Sequence, residues 1–155
     1  MVYIKPGQMG FSLLELILVM AIITTLAAIA TPRFGAAQCR YQADLAARRV
    51  VQDIKLAQTR ARVRSASQTI IFWKDQNEIE IVGAGGLDPH LSEYRTRIWD
   101  SPYHGDITSA QFDGNNELVF NGWGIPDSGG YTTLEVGTET RRITVDPNTG
   151  EATIE

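Results

Sequence analysis

The first apolar run of the chain is long enough to form a membrane-spanning helix. Residues 11–30 contain sixteen apolar side chains, and the exceptions are Ser12, Glu15, Thr24 and Thr25. As a helix that rises about 1.5 Å per residue, the run is about 30 Å long, which matches the hydrocarbon core of a bilayer. The pattern predicts a transmembrane helix over residues 11–32, because the run is too long for the apolar region of a secretory signal peptide.

The next segment, residues 33–64, has the spacing of an amphipathic helix. Apolar residues recur at every third or fourth position and therefore share one face. These residues are Ala43, Ala47, Val50, Ile54, Ala57 and Ala61. Their small side chains favour close approach of another element, and we expect the C-terminal part of the chain to cover them. Pro32 precedes this segment, lacks an N–H group and is expected to kink the helix.

Beyond residue 65 the apolar period changes to two, which is typical of half-buried strands. The expected strands are 69–73, 78–82, 110–112, 117–120, 131–136, 142–145 and 151–154. Turns at 74–77, 113–116 and 146–150 connect three of the successive pairs. Residues 87–105 contain two prolines and are expected to form a long loop. The pattern predicts an α+β fold, in which a long N-terminal helix packs against a small antiparallel β-sheet.

Charge divides the chain at the same positions. The 155 residues carry a net charge of −4, but residues 1–32 have a formal charge of 0, residues 33–64 of +6 and residues 65–155 of −10. We call residues 11–32 the anchor, residues 33–64 the stem and residues 65–155 the head. A cluster of arginines such as that of the stem can bind phosphates. Because the acidic head complements the stem and repels a polyanion, we expect no nucleic acid as a partner.

Candidates for catalytic or metal chemistry are weak. His90 and His104 lack companion ligands at zinc spacing, and the acidic residues of the head loops lack calcium-ligand spacing. Residues 83–86 are glycine-rich, but no helical pattern follows them, so the dinucleotide fingerprint fails. Cys39 does not follow the apolar run directly, which disfavours lipidation and leaves a free thiol or an intermolecular disulfide. We expect no enzymatic activity, no cofactor and no metal, with a membrane-anchored hydrolase as a distant alternative.

Glu15 places a carboxylate inside the apolar run. Such a group costs about 2.5–3.5 kcal/mol by insertion scales and usually has a partner. In one interpretation, Glu15 lies near the membrane interface and reaches the lipid headgroups. In the other, a cut after Gly10 creates an α-amino group on Phe11, one helical turn from Glu15, and this amine supplies the opposite charge.

The sequence around Glu15 resembles the class III signal of type IV pilins and of the pseudopilins of type II secretion. The resemblance rests on residues 5–10 (KPGQMG) followed by 11–16 (FSLLEL), and it extends to residue 34. In that family a prepilin peptidase removes the leader after the glycine and N-methylates the new terminal phenylalanine. The resemblance implies a leader of residues 1–10, cleavage between Gly10 and Phe11, and methylation of Phe11. It also implies that Glu15 neutralises the terminal amine of a neighbouring subunit.

A second resemblance lies in the head. Residues 120–124 (FNGWG), 142–145 (RITV) and 149–150 (TG) are similar to the C-terminal pattern of the GspH/FimT-type minor pseudopilins and minor pilins. Together the two resemblances imply a minor pseudopilin of type II secretion that crosses the bacterial inner membrane once, with its head in the periplasm. The implied partners are other pseudopilins or pilins, the prepilin peptidase and an inner-membrane assembly platform. A minor type IV pilin, in pilus assembly or DNA uptake, remains the alternative.

Overall fold

Helix α1 runs from Leu13 to Arg64. The computed structural model describes residues 11–85 and 93–155, without the side chains of residues 29–33. Near the start of α1, the Leu16 N–H donates to the Ser12 carbonyl at 3.1 Å, with Ser12 in a favourable capping position. At the end, Ser65 adopts a left-handed conformation (φ 49°) and the Ala66 N–H donates to the Ala61 carbonyl at 3.2 Å. This bond satisfies one of the last carbonyls of the helix.

The described residues divide into two compact units, of which the first ends at Ala37 and the second extends from Gln38 to Glu155. In the first unit, α1 continues without interruption through Pro32, and the expected kink stays a prediction. Among the described side chains, no helical stretch is both long and apolar enough to qualify as a membrane span.

The second unit contains the end of α1 and two four-stranded antiparallel sheets. The strands are β1 Gln68–Trp73, β2 Glu78–Ile81, β3 Tyr94–Arg97, β4 Asp106–Phe112, β5 Glu117–Phe120, β6 Gly130–Val136, β7 Glu139–Val145 and β8 Ala152–Ile154. The first sheet has the order β3-β2-β1-β5 and the second the order β4-β6-β7-β8. The expected α+β class is confirmed, although the head contains two sheets and not one.

The core forms where the alanine-rich face of the stem meets the inner faces of both sheets. All six residues of the predicted apolar face are buried, from Ala43 to Ala61. Buried side chains alternate along the strands, as in β1, where Gln68, Ile70 and Phe72 point inward. One continuous cluster joins the face of the stem to Phe72 and Phe120 of the first sheet and to Phe112 and Ile143 of the second. The expectation that the head covers the stem is therefore confirmed.

One expectation for the head was wrong. The expected loop 87–105 contains strand β3, whose Arg95 lies opposite Glu80 of β2. The inward side chains of β3, Tyr94 and Thr96, are polar, so the strand lacks the apolar alternation by which strands are recognised. The predicted turn 113–116 and its two flanking strands are present, and these strands belong to different sheets, since β4 pairs with β6 and β5 pairs with β1.

The hairpins at the two ends of the head are confirmed. β1 pairs with β2 from Ile70–Ile81 to Trp73–Glu78, and β7 pairs with β8 from Ile143–Ile154 to Val145–Ala152. In the turn of the second hairpin, Asp146 Oδ1 accepts the N–H groups of Asn148 and Thr149, both at 2.8 Å. These bonds hold the pKa of Asp146 below its usual value.

Replacing Ala57 with leucine tests the close packing of the stem. Ala57 is fully buried, so a larger side chain overpacks the core, and we expect Ala57→Leu to lower the free energy of unfolding by about 1–3 kcal/mol. Urea unfolding of the full chain in detergent, followed by tryptophan fluorescence, measures the change. The matched control is Thr59→Leu on the exposed side of the same helix, for which we expect a change within about 0.5 kcal/mol. Equal stability of the two variants would contradict the close approach of the sheets.

Candidate assembly site

Phe11 and Glu15 lie four positions apart in the sequence, at the start of α1. Phe11 precedes the helix with 85% of its surface exposed, and Glu15 lies in the first helical turn, where the helix dipole favours a negative charge. Within the described residues, Glu15 makes no ion pair. Gly10 lies outside the described residues. The predicted cleavage at Gly10–Phe11, the methylation of Phe11 and the charge pair of Glu15 stay predictions.

The apolar part of the anchor is exposed on every side. All residues from 11 to 28 are exposed, including the consecutive large side chains Leu16, Ile17, Leu18, Val19 and Met20. A helix that is apolar all round needs an apolar environment on all its faces. The two threonines of the run fit such an environment, because each hydroxyl donates to a carbonyl of the preceding turn.

Two of the three sequence signatures of the head, 120–124 and 149–150, meet at one residue of the stem, Gln58. Gln58 Nε2 donates to the Gly124 carbonyl at 2.8 Å and to the Thr149 carbonyl at 2.7 Å. Gly150 has a φ of +71°, and a β-carbon there would lie 2.7 Å from Gln58 Nε2 and 2.8 Å from the Phe120 ring. Residues that are about 25 positions apart in the signature thus form one junction with the stem. The 120–124 and 149–150 motifs therefore serve close packing in this structure.

A rigid loop between β5 and the second sheet lies against the end of the stem. The side-chain oxygen of Asn121 accepts the N–H groups of Trp123 at 2.9 Å and Ile125 at 3.0 Å. The Asn121 carbonyl accepts the Gly124 N–H at 2.8 Å, and Arg62 Nε donates to the Trp123 carbonyl at 3.1 Å. A β-carbon on Gly122 would lie 2.8 Å from the backbone of Ser65. Hydrogen bonds therefore hold the loop in one conformation and attach it to the helix.

A buried polar cluster links the stem to the first sheet. Asp53 is 1% exposed, accepts a hydrogen bond of 2.7 Å from the Tyr94 hydroxyl and lies 3.3 Å from Arg49 Nε. Arg49 also donates to the hydroxyl oxygens of Tyr94 and Thr96. Burial raises the pKa of the Asp53 carboxyl, although its hydrogen-bond partners and Arg49 oppose the shift. Burial and the hydrogen bond to Asp53 raise the pKa of Tyr94 to about 12.

The sequence analysis did not predict this cluster. It explained the packing of the stem by its apolar residues alone, and Asp53 is not one of them. A signal was present, since Asp53 lies between Val50 and Ile54 on the side of the helix that faces the core. An acid at a core position requires a donor. The partner could not be identified, because Tyr94 lies in the segment that was expected to be a loop.

Ion pairs between stem and head run in both directions. Arg40 of the stem pairs with Glu139 at 3.1 Å, whereas Asp44 of the stem accepts from Arg141 at 2.7 Å. Arg49 pairs within the stem, with Asp53. Of the stem cations with described side chains, only Arg40 forms an ion pair with a head acid. We expected the acidic head to neutralise the positive charge of the stem. In the described residues, direct ion pairs between stem cations and head acids account for little of that neutralisation.

The predicted absence of catalytic and metal chemistry can be compared with residues 11–85 and 93–155 only for clusters of metal ligands. No three His, Cys, Asp or Glu side chains of this part of the chain gather as metal ligands. His104 is exposed, while His90 lies outside the described residues. Cys39 is a half-buried free thiol beside Gly137.

The raised pKa of Tyr94 predicts a loss of stability at high pH. An unfolded tyrosine ionises near its ordinary pKa of 10.0, whereas folded Tyr94 keeps its proton to about pH 12. The stabilisation is complete below pH 10 and is lost as the pH rises towards 12, by roughly 2 kcal/mol. We expect Tyr94→Phe to remove this part of the pH dependence in urea unfolding between pH 9 and 12. The exposed Tyr41→Phe is the control and keeps it; identical profiles for the two variants would contradict the prediction.

Comparison with known structures identifies the fold. Two crystal structures of the type IV minor pilin FimU from Pseudomonas aeruginosa strain PAO1 are similar to this chain. The structure in space group P21 has 15% identity and a TM-score of 0.52, covering 75% of this chain and 90% of FimU. The structure in space group P65 has 14% identity and a TM-score of 0.52, covering 72% and 91%. At this level of identity, the likeness shows that the chain has the fold of a pilin.

Comparison of sequences identifies the family. No curated protein matches the chain. The family model described as "Type II transport protein GspH" matches residues 46–150, which include the covered face of the stem from Ala46 and the junction at Gln58. Because this match covers more than half of the sequence, the chain belongs to the GspH family.

Proposed function

We propose that this chain is a minor pseudopilin of a type II secretion system, assembled into a periplasmic filament that supports export of folded proteins. The observation that carries the proposal is the match of residues 46–150 to the GspH family of type II transport proteins. The fold supports it, because it is similar to that of a type IV minor pilin. Neither family nor fold is that of an enzyme, and we propose a structural role without cofactor or metal.

The anchor is proposed to hold the subunit in the bacterial inner membrane, with the head in the periplasm. In support, the run 11–30 has the length of a bilayer core, and its described side chains are exposed on every face. We further propose that a prepilin peptidase cuts between Gly10 and Phe11 and methylates Phe11. An inner-membrane platform would then extract the mature subunit into the filament.

Glu15 is proposed to set the axial register of the subunit. Its carboxylate is unpaired within the described residues and lies one turn from the new terminus. In an apolar environment an unpaired charge is costly, and removing one partner of a buried ion pair typically costs about 3–5 kcal/mol. A subunit in register pairs Glu15 with the terminal amine of a neighbour, whereas a subunit out of register leaves both charges unpaired.

A minor type IV pilin is the second candidate. It is favoured by one observation, the similarity of the fold to that of the minor pilin FimU. The two candidates share the anchor and the mode of assembly and differ in what the filament does. Loss of export of folded proteins on removal of this chain would favour the secretion system, and loss of surface pili would favour the pilus. A membrane-anchored hydrolase remains a distant third, which hydrolytic activity without filament partners would favour.

Replacing Glu15 with alanine tests the register mechanism. We expect Glu15→Ala to insert into the membrane and to be cleaved normally, because the apolar run and the cleavage residues are intact. Its incorporation into filaments, measured by cross-linking to neighbouring subunits in cells, should fall at least tenfold, since an incoming subunit no longer gains the charge pair.

The control for this experiment is Thr24→Ala, which changes a polar residue of the same run that is already hydrogen-bonded within the helix. Mass spectrometry of the mature protein should show a methylated Phe11 terminus in both variants. Normal incorporation of Glu15→Ala would contradict the register mechanism, and a terminus still at Met1 would contradict the proposed processing.

The acidic head predicts that the chain does not bind duplex DNA. The head has a formal charge of −10 and ends with Glu151 and Glu155, so a polyanion is repelled. We expect no shift of a short DNA duplex by the detergent-solubilised chain at about 0.15 M salt and micromolar protein. A shift under these conditions would overturn the prediction and favour a DNA-uptake pilin.

A further inference from the structure

Strand β3 meets the stem through polar side chains. Its two inward residues, Tyr94 and Thr96, are buried, and both hydroxyl oxygens accept hydrogen bonds from Arg49 of the stem. β3 has four residues and lies at the outer edge of the first sheet, where β2 is its neighbour. An edge strand with polar inward residues gains little from apolar burial. Its attachment therefore depends on how well those polar contacts are satisfied.

Asp53, at the centre of these contacts, is incompletely satisfied. Its Oδ1 atom accepts the Tyr94 hydroxyl at 2.7 Å and lies 3.3 Å from Arg49 Nε. Its Oδ2 atom is buried and has no hydrogen-bond partner within residues 11–85 and 93–155. Asp53 as a whole is only 1% exposed. A buried carboxylate with one unpartnered oxygen is costly as an ion, and such a group lowers the cost by holding a proton.

The titratable groups that face Asp53 in the described residues reduce this cost without removing it. Arg49, on the same helix, supplies the opposite charge but is itself half-buried. Tyr94, on β3, donates its hydroxyl hydrogen and stays neutral to about pH 12. Tyr103 follows β3 and lines a cleft beside Arg49. Burial outweighs these contributions and raises the pKa of Asp53 above its ordinary value.

We propose that Asp53, Arg49 and Tyr94 form a pH-sensitive latch, which releases β3 more readily while Asp53 is ionised and closes when Asp53 takes up a proton from solvent. A cleft of about 270 Å³ between the stem, β3 and residues 100–103 gives the strand room to move. Opening of β3 frees the backbone N–H and C=O groups along the edge of β2. The latch belongs to the head itself and holds for either candidate function.

The sign of the pH dependence follows from the two states of the latch. In the open state, Asp53 meets solvent and ionises near its ordinary pKa of 3.8. In the closed state, burial raises the pKa, so the closed state binds the proton more tightly. Below pH 3.8 both states are protonated and the latch is tightest. As the pH rises above 3.8, the open state ionises first, and the closed state loses stability until its own carboxyl has ionised.

The outer face of β3 responds to pH in the opposite direction. Three carboxylates lie within 3.5 Å of the Arg95 guanidinium, those of Glu78, Glu80 and Glu93. Protonation of these groups at low pH weakens their ion pairs and loosens β3, whereas protonation of Asp53 tightens it. The two effects are separable, because only the second disappears when Asp53 is replaced.

Hydrogen exchange of the full chain in detergent, followed by mass spectrometry, measures the opening of β3. The reporters are the N–H groups of Tyr94 and Ile98, which donate to backbone carbonyls at 2.8 Å. After correction for the intrinsic exchange rate, we expect them to be less protected than the amides of β1. At about pH 7.5, Asp53→Asn should raise their protection roughly twofold or more. Near pH 4 the variant and the unmodified chain should converge, because Asp53 is then largely neutral.

The control variant is Asp44→Asn, which changes an exposed acid of the same helix whose partner, Arg141, lies on β7. It should leave the exchange of β3 unchanged. Equal protection of β3 and β1 in the unmodified chain would overturn local opening. Lower protection of β3 in Asp53→Asn at pH 7.5 would overturn the latch, because the ionised carboxylate would then be stabilising.

A direct titration of the Asp53 carboxyl by carbon-13 NMR of the unmodified chain keeps the proposal testable if Asp53→Asn does not fold. We expect ionisation above the ordinary pKa of 3.8. Ionisation at or below that value would show that the closed state favours the charged carboxylate, and the latch would not exist.

Discussion

The head depends on close packing between one alanine-rich face of the stem and two β-sheets. Alanine contributes little apolar area, so the stabilisation comes from the larger side chains that reach the helix, such as Phe72 and Phe120 of the first sheet and Ile143 of the second. The small side chains of the stem allow those residues to approach its backbone. A stem with larger residues on this face would push both sheets outward and open the core.

Two polar contacts position the sheets on this face, at different points along the helix. Asp53 binds Tyr94 and Arg49 and so ties the stem to the outermost strand of the first sheet, β3. One turn further on, Gln58 holds the loops that contain Gly124 and Thr149. Apolar packing is non-directional, whereas these hydrogen bonds have fixed partners and geometry. Packing thus supplies the driving force, and the two polar residues define the position of each sheet.

Much of the fold of the stem and head could be predicted from the sequence. The parts that could not be predicted depend on contacts between residues that are distant in the sequence. The apolar period of 3.6 identified the covered face from Ala43 to Ala61, and the period of two identified the hairpins at both ends of the head. Strand β3 was not predicted, because its inward residues, Tyr94 and Thr96, are polar. Hydrogen bonds satisfy their hydroxyl groups in the buried state. The sequence did not reveal that β4 and β5 belong to different sheets. Strand pairing depends on contacts between distant residues, and a local pattern contains no information about them. At the candidate site, the motif at residues 11–15 was visible in the sequence, but the role of Gln58 required the fold.

The crossing of the chain between the sheets at residues 113–116 links their formation. The first sheet needs β5 as the partner of β1, yet β5 follows β4, which belongs to the second sheet. Thr69 of β1 pairs with Val119 of β5, so closing this pair joins residues fifty positions apart. Non-local pairings of this kind form late, because the entropy of the intervening chain must be lost first. During synthesis, the nascent chain exposes an open edge of β1 until residue 120 has emerged, and over that interval the edge is accessible to other strands.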